Sequence, residues 1–384
     1  MADFQFETTP RIICQARGSA RLGELARELT VARLFVVTDA GLIKTGLIEP
    51  ILASLSASGI DITLFSDVLA DPPQEVVLAA VSAAKAARVD GVMGIGGGSS
   101  LDTAKLVALL CGTSQALDEI YGVGLARGAR LPLIQVPTTA GTGSEVTPIA
   151  IVTTPTHEKK GVVSPLLYPD VALLDGRLTL GLPPHVTAMT GIDAMVHAIE
   201  AFTSRLKKNP ISDALALKAL ALLYRNIRIA VADGADEAAR TAMLQGSLLA
   251  GMAFANSPVG AVHALAYPLG GHFHVPHGLS NSLVLRAVID FNRPVADRLY
   301  AELAEAILPG RHFADPAEGA DAFARELKAL VAEMPYPQRL REVGVAVADL
   351  PMLARDAMNV QRLLVNNPRA VTYEDALSIY EAAF

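Results

Sequence analysis

Four of the chain's eight histidines, His263, His272, His274 and His277, fall between Arg240 and Arg286, a stretch without Asp, Glu, Lys or Arg. Ionised side chains are costly to desolvate, so such a stretch reads as buried. Imidazoles placed there need partners, and neutral imidazole is a common metal ligand. Upstream, Asp193 and His197 stand four residues apart, which sets a carboxylate and an imidazole on one face of a helix. The pair and the histidine cluster together make a candidate four-ligand metal site. Taken singly, each has a plainer reading: a hydrogen-bonded pair on a helix surface, or histidines satisfied within the core.

A second constellation is the turn Gly96-Gly97-Gly98-Ser99, which follows a buried-looking strand and opens a helix. Glycines let backbone N–H groups approach a phosphate, and a helix N-terminus adds partial positive charge. The same run also suits a tight strand-to-helix turn. Its spacing meets the dinucleotide fingerprint imperfectly, because Gly94-x-Gly96-x-x-Ser99 ends in Ser. Asp39 stands at the end of another expected strand, where an acid reads ribose hydroxyls and repels the 2′-phosphate of NADP. In the usual fingerprint that acid follows the glycines; here it precedes them. A third cluster, Pro137 to Glu145, begins where a buried strand ends and offers Thr138, Thr139, Thr142 and Ser144 to a phosphate or ribose.

These residues are carried by two different textures. In the first half, strand-like runs at Leu34–Thr38, Asp61–Phe65, Val89–Ile95 and Leu131–Pro137 alternate with helical patterns at Gln74–Arg88 and Ser99–Leu110. Such alternation implies a parallel sheet with helices on both faces. Beyond Gly181-Leu182-Pro183-Pro184 the strand pattern gives way to long Ala/Leu-rich helical segments, among them Pro184–Arg205, Ile211–Ala232 and Ala235–Ala255. The expected architecture is an α/β Rossmann-like domain over 1–182 and an all-α domain over 183–384.

The bulk composition narrows the function. At 384 residues, 51% hydrophobic and 18% charged, the chain suits two compact core-rich domains. A net charge of −7 argues against a nucleic-acid partner. Cys14 and Cys111 form no disulfide framework and are expected as reduced thiols of a cytoplasmic protein. The start MADFQFETTPRIIC lacks the pattern of a secretory signal. The charge-free run is not expected to span a membrane. Its apolar core, Ala242–Ala255, holds Gln245, Gly246 and Ser247 and is then broken by Asn256-Ser257-Pro258.

Gly96 to Lys105, the Pro137–Glu145 loop, Asp193-x3-His197, His263…His277-Gly278 and the ending Asn367-Pro368-Arg369…Thr372 resemble the iron-containing (group III) alcohol dehydrogenases nearly end to end. The resemblance implies NAD and a divalent metal held in a cleft between the two domains. It implies Asp193, His197, His263 and His277 as metal ligands, of Fe2+ or alternatively Zn2+. It implies Asp39 at the adenosine ribose, Gly97, Gly98 and Ser99 at the pyrophosphate, and Thr138, Thr139, Thr142 and Ser144 in a second nucleotide loop. Lys159, or its neighbour Lys160, falls near the nicotinamide ribose. Many members carry a proton-relay histidine four residues after the third ligand, where this chain has Tyr267; Tyr267 and His274 are the candidates for relay or pocket wall. Glu200, one turn past His197, either orients a ligand imidazole or faces solvent.

The implied activity is NAD-dependent, metal-assisted hydride transfer between a small alcohol or aldehyde and nicotinamide, in a homodimer or larger homo-oligomer. Related alternatives are a maleylacetate reductase, a polyol dehydrogenase and a lyase of the dehydroquinate synthase kind. The alternative from another class is a non-catalytic NAD-binding module.

Overall fold

The structure is a computed structural model describing residues 3–156 and 158–384. The chain forms two compact units, Glu7–Leu180 and Gly181–Phe384, and residues 3–6 group with the second. In the first unit the strands are β1 (Arg11–Cys14), β2 (Arg33–Val37), β3 (Asp61–Phe65), β4 (Gly91–Gly96), β5 (Gly122–Val123), β6 (Leu133–Pro137), β7 (Ile149–Thr153), β8 (Lys159–Val163) and β9 (Val171–Leu174). Its helices are α1 (Leu22–Glu28), α2 (Ala40–Lys44), α3 (Glu49–Ala57), α4 (Gln74–Ala86) and α5 (Gly98–Gly112).

Six strands make one parallel sheet in the order β1-β9-β6-β4-β2-β3. Strands β4 and β6 are buried along their whole length, as expected where helices cover both faces. Alternate residues supply the two covers. Leu34, Val36, Met93, Ile95, Ile134 and Val136 share a core with Leu22, Leu25, Ile51 and Leu55 of α1 and α3. Phe35, Val37, Val92 and Leu133 share the other with Val77 and Ala80 of α4 and Leu106 and Val107 of α5. The α/β reading of the first half therefore holds, with strand ends shifted by a residue or two. A small second sheet, β5-β8-β7, adds an antiparallel β7–β8 pair that the alternating pattern does not announce.

The second unit is helical: α6 (Pro184–Thr203), α7 (Pro210–Ala232), α8 (Glu237–Asn256), α9 (Ala261–Phe273), α10 (His277–Ile307), α11 (Pro316–Ala332), α12 (Leu350–Met358), α13 (Gln361–Leu364) and α14 (Tyr373–Ala383). Its helix starts are encoded locally. Asn209 accepts a hydrogen bond from Ser212 N–H and Asp236 from Ala239 N–H, each capping the helix that follows. Gly191 and Gly246 bring α6, α7 and α8 close. A Cβ on Gly191 would lie 2.7 Å from Met243 and 2.9 Å from Ile227, and one on Gly246 2.6 Å from Leu223. No single described helix is long and apolar enough to cross a membrane; α8 and α9 meet that test only as a pair, bent by 104° at the break.

Candidate metal centre

Helix α6 presents Asp193 and His197 one turn apart, α9 presents His263, and α10 begins at His277. One donor atom from each lies within 4.8 Å of the other three. Asp193, His197 and His263 are buried at 2, 4 and 3% exposure, whereas the His277 side chain is 30% exposed. Three of the four side chains are thus buried, and His277 alone is partly exposed. Closeness of α10 to α6 depends on Gly278, where a Cβ would stand 2.5 Å from the Met189 carbonyl oxygen.

Contacts around the cluster fix its donors. Glu200, also on α6, is buried and accepts from Val262 N–H at 2.7 Å through one oxygen. Its other oxygen is 2.6 Å from His263 Nδ1. A proton on Nδ1 donates to that carboxylate and leaves Nε2 as a lone-pair donor turned to the cluster. His197 stacks on Phe254 at 4.3 Å and 17°, and on His263 at 4.7 Å. Burial alone would raise the Asp193 pKa; His197, His277, His263 and the Asn281 amide together hold it below its ordinary value.

Asn281, one turn into α10 from His277 and fully buried, completes the arrangement. Its Nδ2 donates to Asp193 Oδ1 at 2.6 Å and lies 3.2 Å from His263 Nε2 and 3.3 Å from His277 Nε2. Three electron-pair donors converge on one amide nitrogen that has two hydrogens to give. Such convergence, with one carboxylate and three imidazoles, suits a borderline divalent cation such as Fe2+ or Zn2+. Sequence reasoning did not single out Asn281, although a signal existed: Ser280-Asn281-Ser282 is a polar run inside the charge-free stretch.

The remaining imidazoles stand apart from the four. His272 is exposed and pairs with Asp356 Oδ2 at 2.6 Å. His274 is exposed in the left-handed conformation, φ 53°, that ends α9. Tyr267 is half-buried, its ring 6.3 Å from the His277 ring, and its hydroxyl accepts from Arg362 Nη2 at 3.3 Å.

In the first unit, the sequence-derived nucleotide residues gather at the C-terminal ends of β2, β4 and β6. Parallel register sets Val37 beside Gly94 and Gly96 beside Pro137, so Asp39, the glycine turn and the Thr138 loop become neighbours. Asp39 Oδ1 accepts from Leu42 N–H at 2.9 Å, while Oδ2 lies 3.6 Å from where a Gly96 Cβ would be. The Thr138 N–H donates to the Gly96 carbonyl at 2.9 Å. A Cβ on Gly97 would meet Thr139 at 3.5 Å, and one on Gly98 would strike Thr142 Cγ2 at 2.7 Å. Gly97 N-caps α5, so the start of that helix faces the gathered loops.

Several of the sequence-derived residues are engaged internally. The Ser144 hydroxyl is buried, donates to Asp102 Oδ1 at 2.6 Å and accepts from Lys105 Nζ at 2.7 Å. Lys105 is fully buried and also donates to Thr147 Oγ1 and the Ile149 carbonyl, tying α5 to the second loop. Burial draws its pKa below the ordinary lysine value against the pull of Asp102 and Glu145. Lys159 is half-buried, its side chain largely covered and paired with Asp71 at 2.7 Å, whereas Lys160 is exposed and lies 5.8 Å from the Tyr121 ring. Asp71 itself, in the left-handed region at φ 50°, donates its N–H to Ser99 Oγ at 3.2 Å. No sequence pattern marks Asp71, because its connection to Ser99 and Lys159 exists only in the fold.

Two family models match consecutive parts of the chain. Residues 9–176 match "Iron-containing alcohol dehydrogenase", and 187–384 match "Fe-containing alcohol dehydrogenase family, C-terminal". A long-chain-alcohol dehydrogenase of Geobacillus thermodenitrificans is 40% identical over 361 residues, 93% of this chain and 91% of the relative. A crystal structure of 1,3-propanediol oxidoreductase superposes with a TM-score of 0.96 at 32% identity, covering 100% of both chains. A sulfoacetaldehyde reductase from Bifidobacterium kashiwanohense, solved in complex with NAD+, gives 0.87 at 28% identity over 100% of this chain and 99% of that one.

Proposed function

The chain belongs to the iron-containing alcohol dehydrogenase family, and from that premise we propose that it interconverts small alcohols and aldehydes with NAD and a bound divalent cation. The observation that carries this reading is the convergence of Asp193, His197, His263 and His277 within 4.8 Å, with His277 partly exposed. When bound, the cation would act as a Lewis acid on the substrate oxygen and nicotinamide would exchange the hydride.

The chain's own residues would supply position and proton handling. Glu200 holds the His263 ring in one orientation, and Asn281 anchors one oxygen of Asp193. Partial exposure of His277 marks the side from which a substrate reaches the centre. Tyr267 stands at that side with its hydroxyl held by Arg362, so we assign it the relay or wall position in preference to His274, which is exposed at the end of its helix. In the first unit, Asp39, Gly97, Gly98, Ser99, Thr139 and Thr142 would bind the coenzyme, with NAD favoured over NADP by the Asp39 charge. Thr138 and Ser144, both buried, would shape that loop from inside, and Lys159 with Asp71 would close its edge. Support for NAD comes from this grouping and from the coenzyme of the solved sulfoacetaldehyde reductase.

The test is absorbance at 340 nm with an alcohol panel and NAD, before chelation, after it, and after return of Fe2+ or Zn2+. Turnover lost and regained with the metal is expected. NAD binding without turnover across the panel would favour a binding module instead.

A further inference from the structure

Residues 241–285, which carry two of the four ligands, bring no Asp, Glu, Lys or Arg of their own. A positive charge nevertheless enters beside the centre from α13. Arg362 lays its guanidinium 5.7 Å from the Tyr267 ring centroid and donates from Nη2 to the Tyr267 hydroxyl at 3.3 Å. The same tyrosine lies 6.3 Å from the ring of His277, the partly exposed member of the four. One aromatic ring therefore separates a fixed cation from the expected point of substrate entry.

Among the described residues Arg362 has no acidic partner, in contrast to several other cations of this fold. Arg130 pairs with Asp170, Arg228 with Glu333, Lys328 with Asp290 and Lys159 with Asp71. Among the described residues no carboxylate lies within 4.0 Å of the Arg362 guanidinium, and its side-chain contacts are those to Tyr267. Its exposed position keeps the outer N–H groups in solvent. A guanidinium presents its donors as a planar fork that matches the paired oxygens of a carboxylate or sulfonate. Held against a tyrosine, that fork loses less freedom on binding than a mobile side chain would.

We propose that Arg362 makes this site selective for alcohols and aldehydes carrying a carboxylate or sulfonate a few bonds from the reacting carbon. The charged end meets the guanidinium while the oxygen-bearing carbon reaches the centre beside the partly exposed His277. This inference rests on the function proposed above and specifies its substrate class.

The metal-loaded protein is assayed with NAD on 4-hydroxybutyrate, 3-hydroxypropane-1-sulfonate and neutral 1-butanol, as wild type, Arg362→Ala and Arg362→Lys. Wild type is expected to prefer at least one anionic alcohol over 1-butanol in kcat/KM. Arg362→Ala should lower kcat/KM for that substrate about 10- to 100-fold more than for 1-butanol, with the difference mainly in KM. Arg362→Lys should restore part of the loss, and added salt should erode the preference. Wild type favouring 1-butanol, or Arg362→Ala slowing all three alcohols alike, would overturn the proposal. Absence of turnover with every alcohol would count against the dehydrogenase reading itself. Calorimetric titration with butyrate, and with butanamide as its neutral counterpart, then decides the Arg362 question separately. Butyrate binding that is tighter than butanamide binding in wild type and lost in Arg362→Ala supports the anion site; equal binding in both proteins rejects it.

Discussion

Glu200 holds His263 by its far nitrogen, so removing the carboxylate's charge changes the imidazole without touching the metal position. Glu200→Gln is therefore expected to weaken Fe2+ or Zn2+ binding about 10- to 100-fold while the fold persists, measured by competition with a chromophoric chelator. His263→Ala should go further and abolish tight metal binding, with NAD affinity unchanged. Metal content equal to wild type in His263→Ala would remove that residue from the ligand set. At the other site, Asp39 keeps one oxygen at the Leu42 N–H and turns the other toward Gly96. Asp39→Gly should bind NAD less tightly and discriminate less against NADP. Unchanged relative affinities in fluorescence titrations would sever Asp39 from coenzyme choice.

At the scale of elements, close approach and buried charge do the positioning. A side chain at Gly278 would press on the Met189 carbonyl where α10 meets α6, so Gly278→Ala should destabilise by about 1–3 kcal/mol and reduce metal affinity as well. Loss of stability with metal affinity intact would show that the α6–α10 spacing does not set the ligand geometry. Glu145, between β6 and β7, is buried with one oxygen unpartnered, and desolvation raises its pKa from 4.5 to about 7. Between those values the folded chain holds a proton that the unfolded chain has released. The stabilisation present at acid pH is accordingly lost as pH rises through that window, by up to about 3 kcal/mol. Glu145→Gln stays neutral and should flatten the difference in denaturation midpoint between pH 5 and pH 8. Parallel pH profiles for the two proteins would contradict the raised pKa.

Across the whole molecule, what could be read from residues follows how local the physics is. Strand-helix alternation exposed the parallel sheet because β4 and β6 are buried on both faces and β2 nearly so, leaving continuous apolar runs. The β7–β8 pair stayed hidden, since its pairing is antiparallel and outside the strand-helix alternation that exposed the main sheet. Asp193 and His197 announce themselves by helical spacing. That the histidine cluster meets them is a tertiary fact suggested by its charge-free setting, while the choice of His263 and His277 among its four histidines came from family resemblance. Asn281, Asp71 and the Lys105 tether were missed because each acts through partners distant in sequence. The same division predicts separate responses in hydrogen exchange. Metal should protect amides around α6, α9 and the start of α10, and NAD those of the glycine turn, because binding stabilises the segments that hold the ligand.

Four side chains are proposed to grip one cation, and a single titration tests that grip most directly. Fe2+ is added anaerobically to chelator-treated protein, with bound metal counted per chain in wild type, Asp193→Asn and His197→Ala. One tightly held equivalent in wild type, absent from both variants whose folds remain intact, is the expected result. Tight binding that persists in either variant, or no saturable site in wild type, would contradict it.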